Sequence, residues 1–238
     1  MLHPILPAVG YIAGTTLPVM PADRERLSRE RVAAAALRFI DEHGEAALSM
    51  RKLGAELGVE AMSLYNHVEN KQDLLSAVSN LLYAEVLERF EPEPSWTWQQ
   101  DLCELARVYR ATAHAHRRAH ALMTGHHQSS IDKYLFLERC YRVLTKAGFA
   151  TKDAALAFDT VAAWAVGAIG QELGTMEALT DGRDVAGDDR NDDREWVPSE
   201  LQQVVDFSDA CKAWTADQRF DDGLRTLLAG LEARLAER

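Results

Sequence analysis

The sequence predicts an all-α fold with two helical domains. Nearly every patterned segment repeats its apolar residues with the period of an α-helix, and no segment alternates as a strand does. Two prolines in the segment 91–95 interrupt the helical pattern, because proline cannot continue a helix. We therefore predict a flexible extension over residues 1–23, a first domain over 24–90 and a second domain over 96–238.

Four helices are predicted in the first domain from their N-caps and stop signals. Ser28, Ser49 and Asn70 each precede an apolar periodic segment, where a short polar side chain caps a helix. Gly44 and Gly58 follow the first and second helices, where glycine commonly ends a helix. The third helix is short, near 61–68, and the fourth runs from Asn70 to about residue 90, with an acidic residue at its third position as in a capping box.

The second domain is predicted to contain five helices. They lie near 98–118, 130–147, 152–179, 199–213 and 217–236. The segment 180–198 is polar and acidic, so we expect a loop there.

Composition excludes several classes of protein. The 238 residues contain three cysteines, Cys103, Cys140 and Cys211, without a metal-binding spacing, so we expect no disulfide framework and a cytoplasmic protein. The extension lacks the basic start of a signal peptide, and no uninterrupted apolar stretch reaches the length of a membrane span. We expect no membrane association.

Net charge argues against nucleic-acid binding by the whole chain. The formal net charge is −11, and the segment from Ser28 to Lys71 contains six basic and seven acidic residues. Phosphate contacts require Lys and Arg, but a local basic surface is sufficient for them. A DNA-binding interpretation must therefore depend on a specific motif.

Such a motif lies between Ser49 and Val68, whose pattern is typical of a helix-turn-helix. Leu53 and Leu64 are spaced to face a common core, and Gly58 supplies the turn between the two helices. Gly54 interrupts the first of them, which indicates that the helices cross closely there. Any amphipathic helical hairpin shows similar spacing, so the pattern alone leaves a plain structural role open.

Residues on the outer face of the second helix and at neighbouring helix starts are the candidates for DNA contact. They are Arg51, Lys52, Ala61, Met62, Ser63, Tyr65, Asn66, His67 and Lys71.

The segment from Leu48 to Leu75 resembles the DNA-binding domain of TetR-type repressors. Its most specific part is Leu64-Tyr65-x-His67-Val68-x-x-Lys71 followed by Leu74-Leu75. Weaker similarity to the tetracycline-repressor branch continues to about residue 236. The resemblance implies a ligand-responsive repressor, not an enzyme, that binds palindromic double-stranded operator DNA as a homodimer.

Roles for individual residues follow from the resemblance. Ser63, Tyr65, His67 and Lys71 would hold phosphates, and Arg51 would contact DNA from the supporting helix. The remaining base-reading positions are those at which family members differ; they are Ala61, Met62 and Asn66.

The resemblance also implies an effector pocket in the second domain. Candidate lining residues are Leu87, Leu105, Tyr109, Met123, His126, Phe136, Trp164 and Gln171. Tetracycline-binding members carry polar and metal-anchoring groups at several matching places, where this chain has Leu87, Leu105 and Met123. We therefore expect a small apolar effector, with no metal and no cofactor. The protomers are expected to pair through Trp164, Gly167 and Gly170 and through the apolar residues of the last helix, which are Leu224, Leu228, Leu231 and Leu235.

Two other functions stay open at this point. Five histidines between His114 and His127 could form the centre of an all-helical enzyme or a metal site, since two of them have the i,i+4 spacing of zinc ligands. The acidic pattern at 188–192 lacks a second motif, so a solvated loop is favoured there over a magnesium site. The weak positive charge also permits a ligand-binding or interaction module without DNA affinity.

Overall fold

The computed structural model describes residues 27–124, 131–180, 198 and 201–236, and every regular element in these ranges is helical. The helices are α1 (Arg29–His43), α2 (Met50–Leu57), α3 (Ala61–Leu64), α4 (Lys71–Arg89), α5 (Trp98–Ala115), α6 (Ala121–Thr124), α7 (Ile131–Lys146), α8 (Thr151–Thr180), α9 (Gln202–Lys212) and α10 (Ala216–Ala236). A short 3₁₀ helix, Glu45–Ala47, follows α1. The all-α prediction is confirmed, whereas the predicted extension and most of the acidic loop lie outside the described residues.

The predicted caps hold α1, α2 and α4 at their starts. The side chains of Ser28, Ser49 and Asn70 accept hydrogen bonds from the backbone three residues ahead. The predicted capping box at α4 is only half formed, because the Asp73 carboxylate accepts from the backbone N–H of Glu69 rather than from that of Asn70. A complete capping box, formed by Thr97 and Gln100, begins α5 instead.

Helix α4 packs against helices from both halves of the chain. It packs against α1 on one side and against α5, α6 and α7 on the other. The buried apolar residues form one continuous cluster that runs from Val32 in α1 to Leu231 in α10. A displacement of α4 therefore reaches both the N-terminal helices and the C-terminal bundle, because tightly packed cores transmit strain.

The predicted dimer contacts are partly wrong. Leu224, Leu228 and Leu231 are buried inside a single protomer, where α10 packs against α8 and α5. Trp164 is also turned inward, with its ring 5.1 Å from that of Phe220. Leu224, Leu228 and Leu231 therefore fill the core of the protomer and are not available to a partner, whereas Trp164 and Leu235 are only partly buried.

Candidate DNA-binding surface and effector cavity

Two glycines shape the tight helix-turn-helix of α2 and α3, one through its backbone conformation and the other through the absence of a side chain. Gly58 has φ 67° and ψ 31°, the left-handed conformation that glycine adopts at little cost. A Cβ at Gly54 would lie 2.9 Å from the carbonyl oxygen of Val59 and 3.2 Å from the backbone nitrogen of Ala61. The close crossing predicted at Gly54 is confirmed.

The α3 segment separates an inner face from an outer face. Leu53, Leu64 and Val68 are buried in the core, which fixes the outward direction of the residues between them. Met62 is 72% exposed and Tyr65 is 44% exposed. Among the other candidates, Arg51, Lys52 and Asn66 are exposed, and Ala61, Ser63, His67 and Lys71 are half-exposed. All nine candidates therefore reach solvent.

Two of the basic candidates are held by backbone carbonyls of the preceding 3₁₀ helix. The Lys52 Nζ donates to the carbonyl oxygen of Ala47 at 3.0 Å, and the Lys71 Nζ donates to that of Glu45 at 3.4 Å. These bonds hold both ammonium groups beside the 3₁₀ helix.

Arg29 is a residue of this region that the sequence analysis did not single out. Its guanidinium donates to both carboxylate oxygens of Asp73, at 2.7 and 2.5 Å, and to the carbonyl oxygen of His67 at 3.1 Å. The hydrogen bond from Arg29 lowers the pKa of the Asp73 carboxyl, and burial opposes that shift. Arg29 therefore ties the end of residues 61–68, the recognition segment, to the starts of α1 and α4.

A cavity of about 640 Å³ lies among α4, α5, α6, α7 and α8. Its volume is within the range of small-molecule sites, which is about 300–1,000 Å³. Its lining is mostly apolar and aromatic, and the residues are Tyr83, Leu102, Leu105, Ala106, Tyr109, Met123, Thr124, Phe136, Leu137, Cys140, Leu144, Phe158, Asp159, Val161, Ala162, Ala163, Ala165 and Val166.

Few polar groups of the lining are free to bind a ligand. The Tyr83 hydroxyl donates to the carbonyl oxygen of Met123 at 2.7 Å, and the Thr124 hydroxyl donates to that of Ala121. Burial raises the pKa of Tyr83 to about 12, raises that of Cys140 to about 12, and also raises that of Tyr109. These groups are consequently neutral at ordinary pH, and the cavity favours uncharged molecules.

Four of the eight predicted pocket residues line this cavity, namely Leu105, Tyr109, Met123 and Phe136. Leu87 lies one turn beyond Tyr83 on α4 and faces a different cleft beside the α4–α5 loop. Trp164 packs on α10, and Gln171 is exposed further along α8. His126 lies outside the described residues. Sequence reasoning missed Tyr83, although its aromatic character beside an apolar helix face was a usable signal.

The described histidines of the cluster take part in ion pairs or core packing. His114 Nε2 lies 2.7 Å from Glu172 Oε2, and His116 lies between two carboxylates. His120 is buried, and desolvation lowers its pKa. Among residues 27–124, 131–180, 198 and 201–236, no group of three ligating side chains is placed to hold a metal ion. His127 lies outside these ranges.

Helix α8 is unusually apolar. Residues 151–174 are long and apolar enough to cross a membrane by length and mean hydropathy, a test that core helices of water-soluble proteins also pass. Only 28% of an 18-residue apolar stretch of this helix is buried within the protomer. Gly167, Gly170 and Gly174 lie at its outer side, with nothing within 4 Å of a Cβ at any of them.

Both halves of the chain match one family of regulators. Residues 32–78 match the bacterial regulatory proteins of the tetR family, and residues 91–235 match the tetracyclin repressor-like C-terminal domain. The class D tetracycline repressor protein of Escherichia coli is 30% identical over 210 residues, which cover 88% of this chain and 91% of that protein. The class E protein of Escherichia coli is 29% identical over 213 residues, covering 90% and 94%.

Solved structures agree with this assignment. A possible TetR family transcriptional regulator from Streptomyces coelicolor A3(2) superposes with a TM-score of 0.72 at 31% identity, covering 87% of this chain and 99% of that one. The Streptomyces coelicolor TetR family protein ActR, in complex with actinorhodin, gives a TM-score of 0.74 at 27% identity, covering 88% and 99%. The enzyme interpretation of the histidine cluster is therefore wrong: the chain belongs to the TetR family of transcriptional regulators and has a tetracycline-repressor-like C-terminal domain.

Proposed function

We propose that this protein represses transcription by binding a palindromic operator as a homodimer, and that a small apolar molecule in the cavity releases it. The observation that carries the proposal is the path of α4. This helix begins at Lys71, beside the recognition segment, and lines the cavity with Tyr83 three turns later. A molecule that displaces the cavity wall therefore acts on the same helix that supports the DNA-binding surface.

The relatives support a small-molecule effector. ActR has been crystallised with actinorhodin, and a TetR variant from Acinetobacter baumannii has been crystallised with minocycline. The cavity of this chain has Leu105 and Met123 among its apolar lining, and Asp159, which is exposed, is the one carboxylate among the described lining residues. An apolar wall cannot readily hold a charged metal chelate, because desolvation of the charge is unfavourable. We infer an uncharged, largely aromatic effector.

The outer face of α8 is the proposed dimer surface. Its stripe of Gly167, Gly170 and Gly174 is open in the protomer, and small residues permit close approach of a partner helix. Burial of this face in a dimer accounts for an apolar helix that is mostly uncovered in one copy. Two recognition segments held by such a dimer would face successive major grooves about 34–36 Å apart. A protein that binds operator DNA acts in the cytoplasm, which is the localisation that we propose.

The test is an unbiased selection of DNA with the full-length protein, followed by binding measurements on the enriched sequences. We expect palindromic sequences to be enriched. Lys71→Ala should weaken binding to all sequences alike and reduce the slope of log affinity against log salt by about 1, because one phosphate contact is lost. Lys212→Ala, which removes a lysine paired with Asp209 on α9, is the matched control and should leave the slope unchanged. Absence of any palindromic preference would contradict the proposed function.

A further inference from the structure

His116 joins three helices at the point where α5 ends. Its backbone leaves the helical conformation, with φ −119° and ψ 49°. Its ring Nδ1 lies 2.7 Å from Asp41 Oδ2 near the end of α1, and its Nε2 lies 3.0 Å from Glu85 Oε2 on α4. One imidazole therefore connects the effector half of the chain to the helix that packs against the helix-turn-helix.

The surroundings of His116 constrain both carboxylates that contact its ring. Glu85 Oε1 accepts hydrogen bonds from Arg89 at 2.7 Å and from the Thr112 hydroxyl at 3.2 Å, so the carboxylate is fixed from the other side. Asp41 Oδ1 is buried and has no partner among the described residues, so the Asp41 side chain depends on His116 for its hydrogen bonding. Loss of the ring would leave a partly buried carboxylate without compensation.

A second contact reinforces the first. Arg118 donates to the carbonyl oxygens of Asp41 and Glu42 in the last turn of α1. Carbonyls at the end of a helix lack partners within the helix, and a cation there interacts favourably with the helix dipole. The turn after α5 thus contacts the C-terminal end of α1 at two kinds of group. His116 contacts the side chain of Asp41, and Arg118 contacts main-chain carbonyl oxygens.

At its other end α1 is tied to the recognition segment. Arg29 bonds Asp73 and the carbonyl oxygen of His67, 12 residues before Asp41 along the same helix. Since α1 is tied near both ends, a rotation at Asp41 must be transmitted to the recognition segment. A helix moves as a rigid element over this length.

We propose that His116 is a positioning residue that fixes the orientation of the DNA-binding helices and so selects the spacing between operator half-sites. The proposal rests on the proposed function, because spacing has meaning only for a dimer on a palindrome. His116 itself lies outside the DNA-binding surface. Its loss therefore changes which spacing is preferred or how strongly, rather than weakening every phosphate contact equally.

The test uses full-length protein and a set of palindromes whose half-sites are identical but separated by different numbers of base pairs. Affinity for each is measured by fluorescence anisotropy. We expect the wild type to discriminate between spacings, and we expect His116→Ala to reduce the ratio of best to worst affinity by about fivefold or more, the usual range of coupling between distant sites. Asp41→Ala should have the same effect, and the double variant should add nothing, because both remove one contact.

Two matched controls separate positioning from general damage. His114→Ala removes a histidine two residues earlier that bonds Glu172 within the effector half, and it should retain the spacing preference. Lys71→Ala should lower affinity for all spacings by the same factor. Thermal unfolding of each variant establishes that it is folded, and Asp41→Ala alone is used for the test if His116→Ala is unfolded.

The outcomes distinguish the two proposals. If the wild type binds no palindrome, the proposed function fails. If the wild type discriminates between spacings and the His116 and Asp41 variants keep that discrimination, the role of His116 is overturned. Equal loss of discrimination in His114→Ala would overturn it as well, because the effect would not depend on the contact with α1.

Discussion

The hydroxyl of Tyr83 donates a hydrogen bond of 2.7 Å to the carbonyl oxygen of Met123, and both residues line the cavity. One turn earlier on α4, the Ser79 hydroxyl donates to the carbonyl oxygen of Leu122 at 2.9 Å. These two buried bonds fasten α6 to α4. A molecule that moves Met123 must therefore move α4 or break the bonds, and either event reaches the DNA-binding surface.

Tyr83→Phe should lower the free energy of unfolding by about 1–2 kcal/mol, because it leaves a buried carbonyl oxygen without its donor. The ring remains, so the cavity keeps its aromatic wall. Urea unfolding of both proteins measures the difference. Tyr134→Phe, at a tyrosine that is 54% exposed on α7, is the control and should change stability by less than about 0.5 kcal/mol. Equal stability of Tyr83→Phe and the wild type would show that the bond does not hold α6.

Gly54→Ala should destabilise the protein by about 1–3 kcal/mol, although alanine favours helices over glycine by about 1 kcal/mol. The added methyl would meet backbone atoms of Val59 and Ala61, which cannot rotate away. Thermal unfolding and operator affinity measure the effect. Ala55→Gly, at the exposed neighbouring position, should lose only the helix preference. A stabilised Gly54→Ala would contradict the close crossing as the reason for this glycine.

Gly167→Arg should convert the dimer to a monomer without unfolding the protomer. Nothing lies within 4 Å of a Cβ at this position, so the protomer tolerates the side chain, whereas a partner helix packed there would not. Light scattering at micromolar concentration measures the mass, and operator binding should weaken with it. Ala111→Arg, at an exposed alanine of α5, should stay dimeric. A dimeric Gly167→Arg would place the interface elsewhere.

Magnesium–tetracycline should neither raise the melting temperature nor release operator DNA, whereas some uncharged aromatic compounds should do both. Burial of apolar ligand surface contributes about 25 cal/mol per Å² to the free energy of binding. To release DNA, the compound must also bind one conformation more tightly than the other, because equal affinity leaves the conformational equilibrium unchanged. Thermal shift and DNA release are measured in parallel over a compound library. Met123→Lys should abolish the response at unchanged operator affinity, and Ile131→Lys, at an exposed position, should preserve it. A response to magnesium–tetracycline would contradict the apolar interpretation.

Local rules predicted the N-terminal helices well. The caps at Ser28, Ser49 and Asn70 and the turn at Gly58 depend on neighbouring backbone groups, so their signals are complete within a few residues. The predicted end of α5 was too late, because the chain leaves the helix at His116 to place its ring between Asp41 and Glu85. Both carboxylates are distant in sequence, and nothing near His116 announces them.

The cavity was harder to predict because a helix in a bundle can bury more than one face. Trp164 and Ala165 are adjacent in sequence, yet Ala165 lines the cavity while Trp164 packs toward α10. The apolar periodicity of α8 does not distinguish side chains that face the cavity from side chains that face α10. A Cβ at Gly223 would lie 2.4 Å from the Trp164 ring, so the place of this tryptophan is set by a glycine 59 residues away. Such pairings are decided by tertiary packing.

The sparse polarity of the cavity determines how selective the response is. One methylene more or less in an apolar pocket changes affinity by only about 1–3 kcal/mol, whereas a buried polar group left unmatched rejects an analogue far more strongly. With the hydroxyls of Tyr83 and Thr124 already engaged within the protein, close members of a homologous series would all bind. Transcription of the genes under its control would then respond to a class of compounds rather than to one compound. A cell could respond to a new compound of that class without a new receptor.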